Sequence, residues 1–208
     1  MSSEHSSPAR PDAPEEGAKK PFVRNPLTVE LTPRLLPPLA AGLLVVWLGE
    51  PTLQSLGAGL ALVVGGEALR LWSAGHLYKT RELVTSGPYA WIRHPLYAGT
   101  LLVGSGFLVA ASGAVTRWGL PLYLLFFFVY YLPYKTRKED ARLVRRHPCY
   151  ARYRRDVPSL FPWRGRYAAE GATPQRRWSL ARLRDNDEMG TALMVVSVAL
   201  VFALDLVG

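Results

Sequence analysis

Between Gly87 and Tyr97 the chain reads Gly-Pro-Tyr-Ala-Trp-Ile-Arg-His-Pro-Leu-Tyr, which concentrates a guanidinium, an imidazole and three aromatic rings in one short stretch. Each proline biases the residue before it away from helix, so Gly87-Pro88 and His94-Pro95 punctuate the backbone twice. Arg93 offers a planar fork of donors to an anion, His94 a donor or an acceptor, and Tyr89 and Tyr97 a hydroxyl and a π-face. A loop of that chemistry held between two apolar segments is suited to binding a polar ligand at a membrane surface.

The elements that must position it are set by hydropathy. The chain is 49% hydrophobic and 20% charged, but its apolar residues are gathered into blocks near 35–49, 52–77, 96–111, 117–134 and 189–207, with the charges between them. Blocks of that length predict an all-α polytopic membrane bundle of about five spans with cytoplasmic polar helices. The expected order is a disordered cytoplasmic tail over 1–30 and a core over 31–162 whose cytoplasmic helix occupies 135–162. A basic surface connector over 163–188 and an extra C-terminal span over 189–208 complete it.

Of the 25 Lys and Arg, all but Arg70 and Arg117 lie before the first block, between 79 and 93, or between 135 and 184. The retention of such residues inside predicts a cytoplasmic N-terminus and an active face on the cytoplasmic side. The net charge of +9 borders the apolar blocks without any nucleic-acid-binding pattern, so anionic lipid headgroups are the expected counterions and nucleic acid is excluded. Cys149 is the sole cysteine, which excludes an internal disulfide and a cysteine metal cluster, and no metal is expected. The N-terminal tail, rich in Ser, Pro and charge, lacks the apolar core of a signal peptide. Oligomeric state is not legible.

Gly49-Glu50-Pro51-Thr52 predicts a tight turn that makes the first two blocks antiparallel neighbours. Gly57, Ala61 and Gly65 put small side chains on one face of the second, where another helix could approach. Glu67 and Arg70 on that segment could pair with each other or reach the polar junction, and His76 is expected at the interface. A second hairpin around 111–117 has a geometric consequence: the residues just before Leu96 and those just after Tyr134 must emerge on the same membrane face. The segment from Lys135 through Val157-Pro158 and Phe161-Pro162 is thereby brought to the Gly87–Tyr97 junction.

Gly87-Pro88-Tyr89, Arg93-His94-Pro95-Leu96-Tyr97, Arg137-x-Glu139-Asp140-x-x-Leu143, Tyr150-x-x-Tyr153, Val157-Pro158 and Phe161-Pro162 together resemble the isoprenylcysteine carboxyl methyltransferase and phospholipid methyltransferase superfamily over roughly 66–162. The resemblance implies an integral membrane enzyme that uses S-adenosylmethionine without a Rossmann fold. It implies that Tyr89, Arg93, His94, Pro95, Leu96 and Tyr97 form one wall of the cofactor pocket and Glu139 and Asp140 another, with Arg137 and Glu139 as the catalytic pair. Many relatives carry two glutamates where this chain has Glu139-Asp140, and the shorter Asp140 retracts its carboxylate. Tyr150 and Tyr153 are expected to pack at the membrane interface, and His147-Pro148 to fill a turn. The implied acceptor is lipid-like or prenylated, presenting a carboxylate or an amine. The alternatives are an NADPH-dependent membrane reductase of the sterol-reductase type and a non-catalytic lipid-binding protein of the same fold.

Overall fold

A computed structural model describes residues 33–78, 83–168 and 177–207, all of whose regular structure is helical. The tail expected over 1–30 lies outside the described residues. Helix α1 is Leu36–Trp47, with Pro37 and Pro38 in its first turn, where their missing N–H groups have no intrahelical partner to lose. Helix α2, Leu53–His76, begins on a reciprocal cap in which Ser55 N donates to Thr52 Oγ1 and Thr52 N donates to Ser55 Oγ. A single 3₁₀ turn over Gly87–Ala90 precedes α3, Pro95–Ala111. Helix α4 runs unbroken over Val115–Arg146, and α5 is Tyr150–Asp156, α6 Leu180–Asp185 and α7 Glu188–Val207.

Helices α2 and α3 form the centre of the bundle. A Cβ on Gly59 would stand 2.5 Å from the Gly106 carbonyl oxygen, and one on Gly66 2.8 Å from that of Gly99. Two glycine pairs, each seven residues apart on its own helix, therefore let the antiparallel backbones touch. The stripe expected to do this, Gly57, Ala61 and Gly65, is exposed, and a Cβ on Gly57 or Gly65 would meet nothing. The correction is one of face: spacing alone marks a small-residue stripe but not which of two stripes meets the neighbour.

Both hairpin turns lie at one end of the bundle, where Glu50 N donates to Ala111 O at 2.7 Å. The polar segments after α2 and after the apolar part of α4 are thus together at the other end, as the hairpin argument requires. Arg70 ties α7 to the central pair, with Nη2 2.7 Å from Glu188 Oε2, Nη1 donating to Thr100 Oγ1 at 2.6 Å and Nε 3.6 Å from Glu67 Oε2. His76 is buried rather than interfacial: its Nδ1 meets the Trp72 carbonyl at 2.9 Å and its ring fills the space where Gly87 lacks a side chain.

Val115–Arg146 and Glu188–Leu206 are long and apolar enough to cross a membrane, while α1 and α3 are shorter apolar helices. At ~1.5 Å per residue, the 12 residues of α1 reach well short of a ~30 Å hydrocarbon layer. The helix expected over 135–162 is divided. Residues up to Arg146 continue α4, His147 turns extended before Pro148, and α5 comes next. Proline disfavours the helical conformation in the residue preceding it, which is why the break falls there.

Candidate functional site

The Gly87–Tyr97 junction is held by chain far away in sequence. Gly87 adopts φ +61°, a conformation that favours glycine, and starts the 3₁₀ turn with His76 packed against it. Arg93 N donates to Pro158 O at 2.8 Å, His94 N to Ser159 O at 3.0 Å, and Arg93 Nε to Val157 O at 3.1 Å. The Val157-Pro158-Ser159 segment thus anchors Arg93 and His94 through consecutive backbone hydrogen bonds and one from the Arg93 side chain. His94 ends this paired stretch and Pro95 opens α3.

Helix α4 supplies the opposite wall. It contains a π-turn over Phe127–Tyr131. In a straight α-helix residues four apart drift round the axis, whereas the wider turn absorbs a residue. Tyr123, Phe127, Tyr131, Lys135 and Glu139 consequently stay on the side facing α3 and the junction. Tyr123 Oη donates to Thr100 O at 3.0 Å, and the Tyr131 ring meets Tyr97 edge-on at 5.9 Å. Glu139 Oε2 accepts from Tyr97 Oη at 3.0 Å.

Between the walls lies a cavity of ≈ 580 Å³. Tyr89, Arg93, His94, Pro95, Leu96, Tyr97 and Glu139 line it. Of the other expected site residues, Asp140 is buried behind the wall and Arg137 is exposed on α4, outside the cavity lining. Asp140 accepts from Tyr150 Oη, lies 3.3 Å from Arg93 Nη1 and 3.4 Å from Arg154 Nε. It is the centre of a latch that fastens α5 and the junction to α4.

Tyr150 and Tyr153 also line the cavity and are buried, so the expectation that they pack at the interface is corrected. Tyr153 Oη donates to Tyr89 O at 2.7 Å. Burial raises the Tyr150 and Tyr153 phenols, and Asp140 pushes Tyr150 further. Both therefore remain neutral donors at neutral pH. Tyr89 is likewise held well above its usual range, by burial first and then by Glu139.

Further cavity residues were not singled out from sequence: Tyr78 after α2, and Lys135, Lys138, Arg142 and Arg146 on α4. The four cations stand four and one residues before Glu139 and three and seven after it, the spacing of one helical face. Taking Glu139 as the origin of that face would have found them. Among the described residues the cavity rim is consequently strongly basic, with Glu139 as its lining carboxylate.

The polar atoms of the wall are incompletely used. His94 is buried with Nδ1 3.4 Å from Glu139 Oε2 and Nε2 3.7 Å from Asp140 Oδ1, ion-pair distances at which neither nitrogen makes a hydrogen bond. Tyr89 Oη is buried on the cavity wall without a hydrogen-bond partner. Buried polar atoms are normally satisfied, so the unpartnered Tyr89 hydroxyl on the cavity wall is suited to a polar ligand. Stacking on the Tyr97 ring at 5.5 Å also fixes the plane of the His94 imidazole. A carboxylate, a ring of cations, unpaired donors and aromatic faces fit a ligand carrying hydroxyls, an anionic group and a flat base. Among the described residues no group of three or more His, Cys, Asp and Glu is arranged to hold a metal ion.

Residues 59–145 match the isoprenylcysteine carboxyl methyltransferase (ICMT) family. The cobalt-zinc-cadmium resistance protein CzcN of Cupriavidus metallidurans is 41% identical over 126 residues, covering 58% of this chain and 54% of that protein. The nickel-cobalt-cadmium resistance protein NccN of Alcaligenes xylosoxydans xylosoxydans is 36% identical over 118 residues, covering 56% and 52%. The protein-S-isoprenylcysteine O-methyltransferase of Homo sapiens is 31% identical over 118 residues, covering 50% and 40%. The chain spans about half the length of the curated relatives it matches. No solved structure matches it significantly.

Proposed function

From the membership of residues 59–145 in the isoprenylcysteine carboxyl methyltransferase superfamily, we propose that this membrane protein transfers a methyl group from S-adenosylmethionine to a lipid-like or prenylated acceptor at the cytoplasmic face. The observation that carries the reading is the cavity itself: the Tyr89–Tyr97 wall and Glu139 meet across it through the Tyr97–Glu139 hydrogen bond, with Tyr89 Oη left without a hydrogen-bond partner. S-adenosylmethionine, when bound, supplies a sulfonium methyl open to in-line attack.

The residues of the chain then have distinct tasks. Glu139 accepts hydroxyl or ammonium donors, and the cations of α4 pair with a carboxylate. Tyr89, Tyr97 and Tyr150 offer π-faces to a base or a cation. A carboxylate acceptor needs no base, and an amine must first lose its proton. Alignment and exclusion of water supply most of the acceleration in either case.

A second cleft of ≈ 970 Å³ lies between α1, α3, α4 and α7 and is lined mainly by apolar side chains, with Arg70, Thr100 and Tyr131 among them. Tyr131 also packs on Tyr97 of the first cavity, so an acceptor whose apolar body rests in the bilayer side has a short route to the chemistry. The five helical segments α1 to α4 and α7 are read as five spans with the N-terminus inside. Short helices such as α1 are accommodated by bilayer thinning and by their neighbours.

Calorimetric titration of the detergent-purified protein with S-adenosylhomocysteine tests the reading, with NADPH as the comparison. Saturable binding of the first alone is expected. Binding of NADPH alone would transfer the protein to the reductase class, and binding of neither would leave a lipid-binding role. Because two relatives are named for metal resistance, the titration is repeated with cobalt, zinc and cadmium. A metal-dependent affinity would connect the site to that function.

A further inference from the structure

Residues 177–188 lie beyond the matched segment, yet they close the end of α2. The last carbonyls of a helix have no intrahelical donor and are usually capped by the next few residues of the chain. At the end of α2 Leu77 N donates to Ala74 O at 3.2 Å, and the further donors are remote in sequence. Trp178 Nε1 donates to Leu71 O at 3.2 Å, Ser179 N to Gly75 O at 3.0 Å, and Asn186 Nδ2 to Ala74 O at 2.8 Å and Leu77 O at 3.1 Å. A side chain on Gly75 would run into the Trp178 indole, so glycine admits the strap.

With its carbonyls held this way, α2 gives way to an extended Leu77 and the chain presents Tyr78. Arg182 grips that residue twice. Its guanidinium carbon lies 3.8 Å from the Tyr78 ring centroid and its Nη2 donates to the Tyr78 hydroxyl. Arg182 is itself fixed by Nη1 donating to Arg177 O at 2.6 Å and Gly75 O at 3.3 Å. Tyr78 lines the cavity and Arg182 does not. The guanidinium therefore backs the ring from behind the wall.

The geometry points to Arg182 as a positioning residue that holds Tyr78 in the wall of the cofactor cavity, making the affinity of that cavity depend on the C-terminal strap. This rests on the cofactor reading above. A cation stacked on an aromatic face and bonded to its hydroxyl restricts the ring to one orientation without touching the ligand.

The test is a double-mutant cycle read by calorimetry with S-adenosylhomocysteine on the full chain, together with amide exchange of the 71–78 peptide by mass spectrometry. Arg182→Ala is expected to weaken binding about fivefold, the factor that one stacking contact and one hydrogen bond represent. Tyr78→Ala should weaken it at least as much, and the double variant no further than Tyr78→Ala alone. Unchanged affinity in a normally melting Arg182→Ala protein, or losses that simply add, would overturn the proposal. If Arg182→Ala does not fold, Arg182→Lys keeps the charge without the planar fork and is read on the same cycle. If the wild-type protein binds no S-adenosylhomocysteine, the cofactor reading itself fails and Arg182 loses its role in binding. Exchange then decides the remaining half: faster exchange at 71–78 in Arg182→Ala and Gly75→Ala supports the strap's hold on Tyr78, and unchanged exchange removes it.

Discussion

The cavity wall and the latch behind it are built from adjacent residues and do opposite things with their polar groups. On the wall, Glu139 accepts one phenol while His94 and Tyr89 leave buried polar atoms unpaired. One residue on, Asp140 gathers Arg93, Tyr150 and Arg154 around one carboxylate. Unpaired buried groups cost stability and create capacity for a ligand, whereas paired ones hold elements together and have nothing left to offer. The two functions are separated by the ~100° that divides consecutive residues on a helix.

The sharpest way to break that contrast is Asp140→Ala, which strands Arg93 in a site with little solvent. Loss of about 3 kcal/mol in stability is expected, at the lower end for a broken buried pair because the pair is not fully enclosed. Thermal melting should fall clearly, and cofactor affinity only as a consequence. This reverses the emphasis of the family resemblance, in which Asp140 is simply the lesser member of a binding pair.

Glu139→Gln should do the converse: about tenfold weaker S-adenosylhomocysteine binding, from loss of a charge-assisted bond of ~1.5 kcal/mol, with melting unchanged. Equal melting losses for the two variants would show that wall and latch are one structural unit. Next in size is Tyr97→Phe, which removes the hydroxyl that meets Glu139 but keeps the ring on His94 and Tyr131. About 0.5–1.5 kcal/mol of affinity should go, measured by the same titration. The smallest effect is expected of Arg137→Ala. Arg137 is exposed and outside the cavity lining, so both melting and binding should stay within about 0.5 kcal/mol. A large loss of turnover with intact binding would instead return Arg137 to the catalytic pair that the family resemblance implies.

Arg70 makes a useful third point of reference. Like Arg93 it is paired with carboxylate, here Glu67 and Glu188, but it joins three helices through the apolar body of the bundle. Its sequence signal, an ionisable pair in an apolar block, was the same kind that marks a functional site. What distinguishes it is the partner on α7, which lies 118 positions away in the chain.

Several features were legible from residue order alone because they depend on local chemistry or on hydropathy. The helical segments and the turns at Gly49–Thr52 and around 111–117 are consequences of apolar runs and of proline and glycine, whereas the helix expected over 135–162 is broken at His147-Pro148. That the Gly87–Tyr97 junction and Glu139 share one end of the bundle is a matter of counting hairpins. Tertiary structure alone decided which side of each helix mattered. The small-residue face of α2 that meets α3 is Gly59 and Gly66 rather than Gly57 and Gly65, since both stripes have suitable spacing and only the opposing Gly99 and Gly106 choose between them. The π-turn at Phe127–Tyr131 changes the phase of α4, so the faces of Glu139 and Asp140 could not be counted from the apolar part of the helix. Tyr150 and Tyr153 were misplaced because their burial comes from Leu83, Val157 and Tyr167 packing around them and from the bond of Tyr153 to Tyr89 O. Periodicity records which residues share a face; the direction in which that face points is set by contacts between residues far apart in the chain.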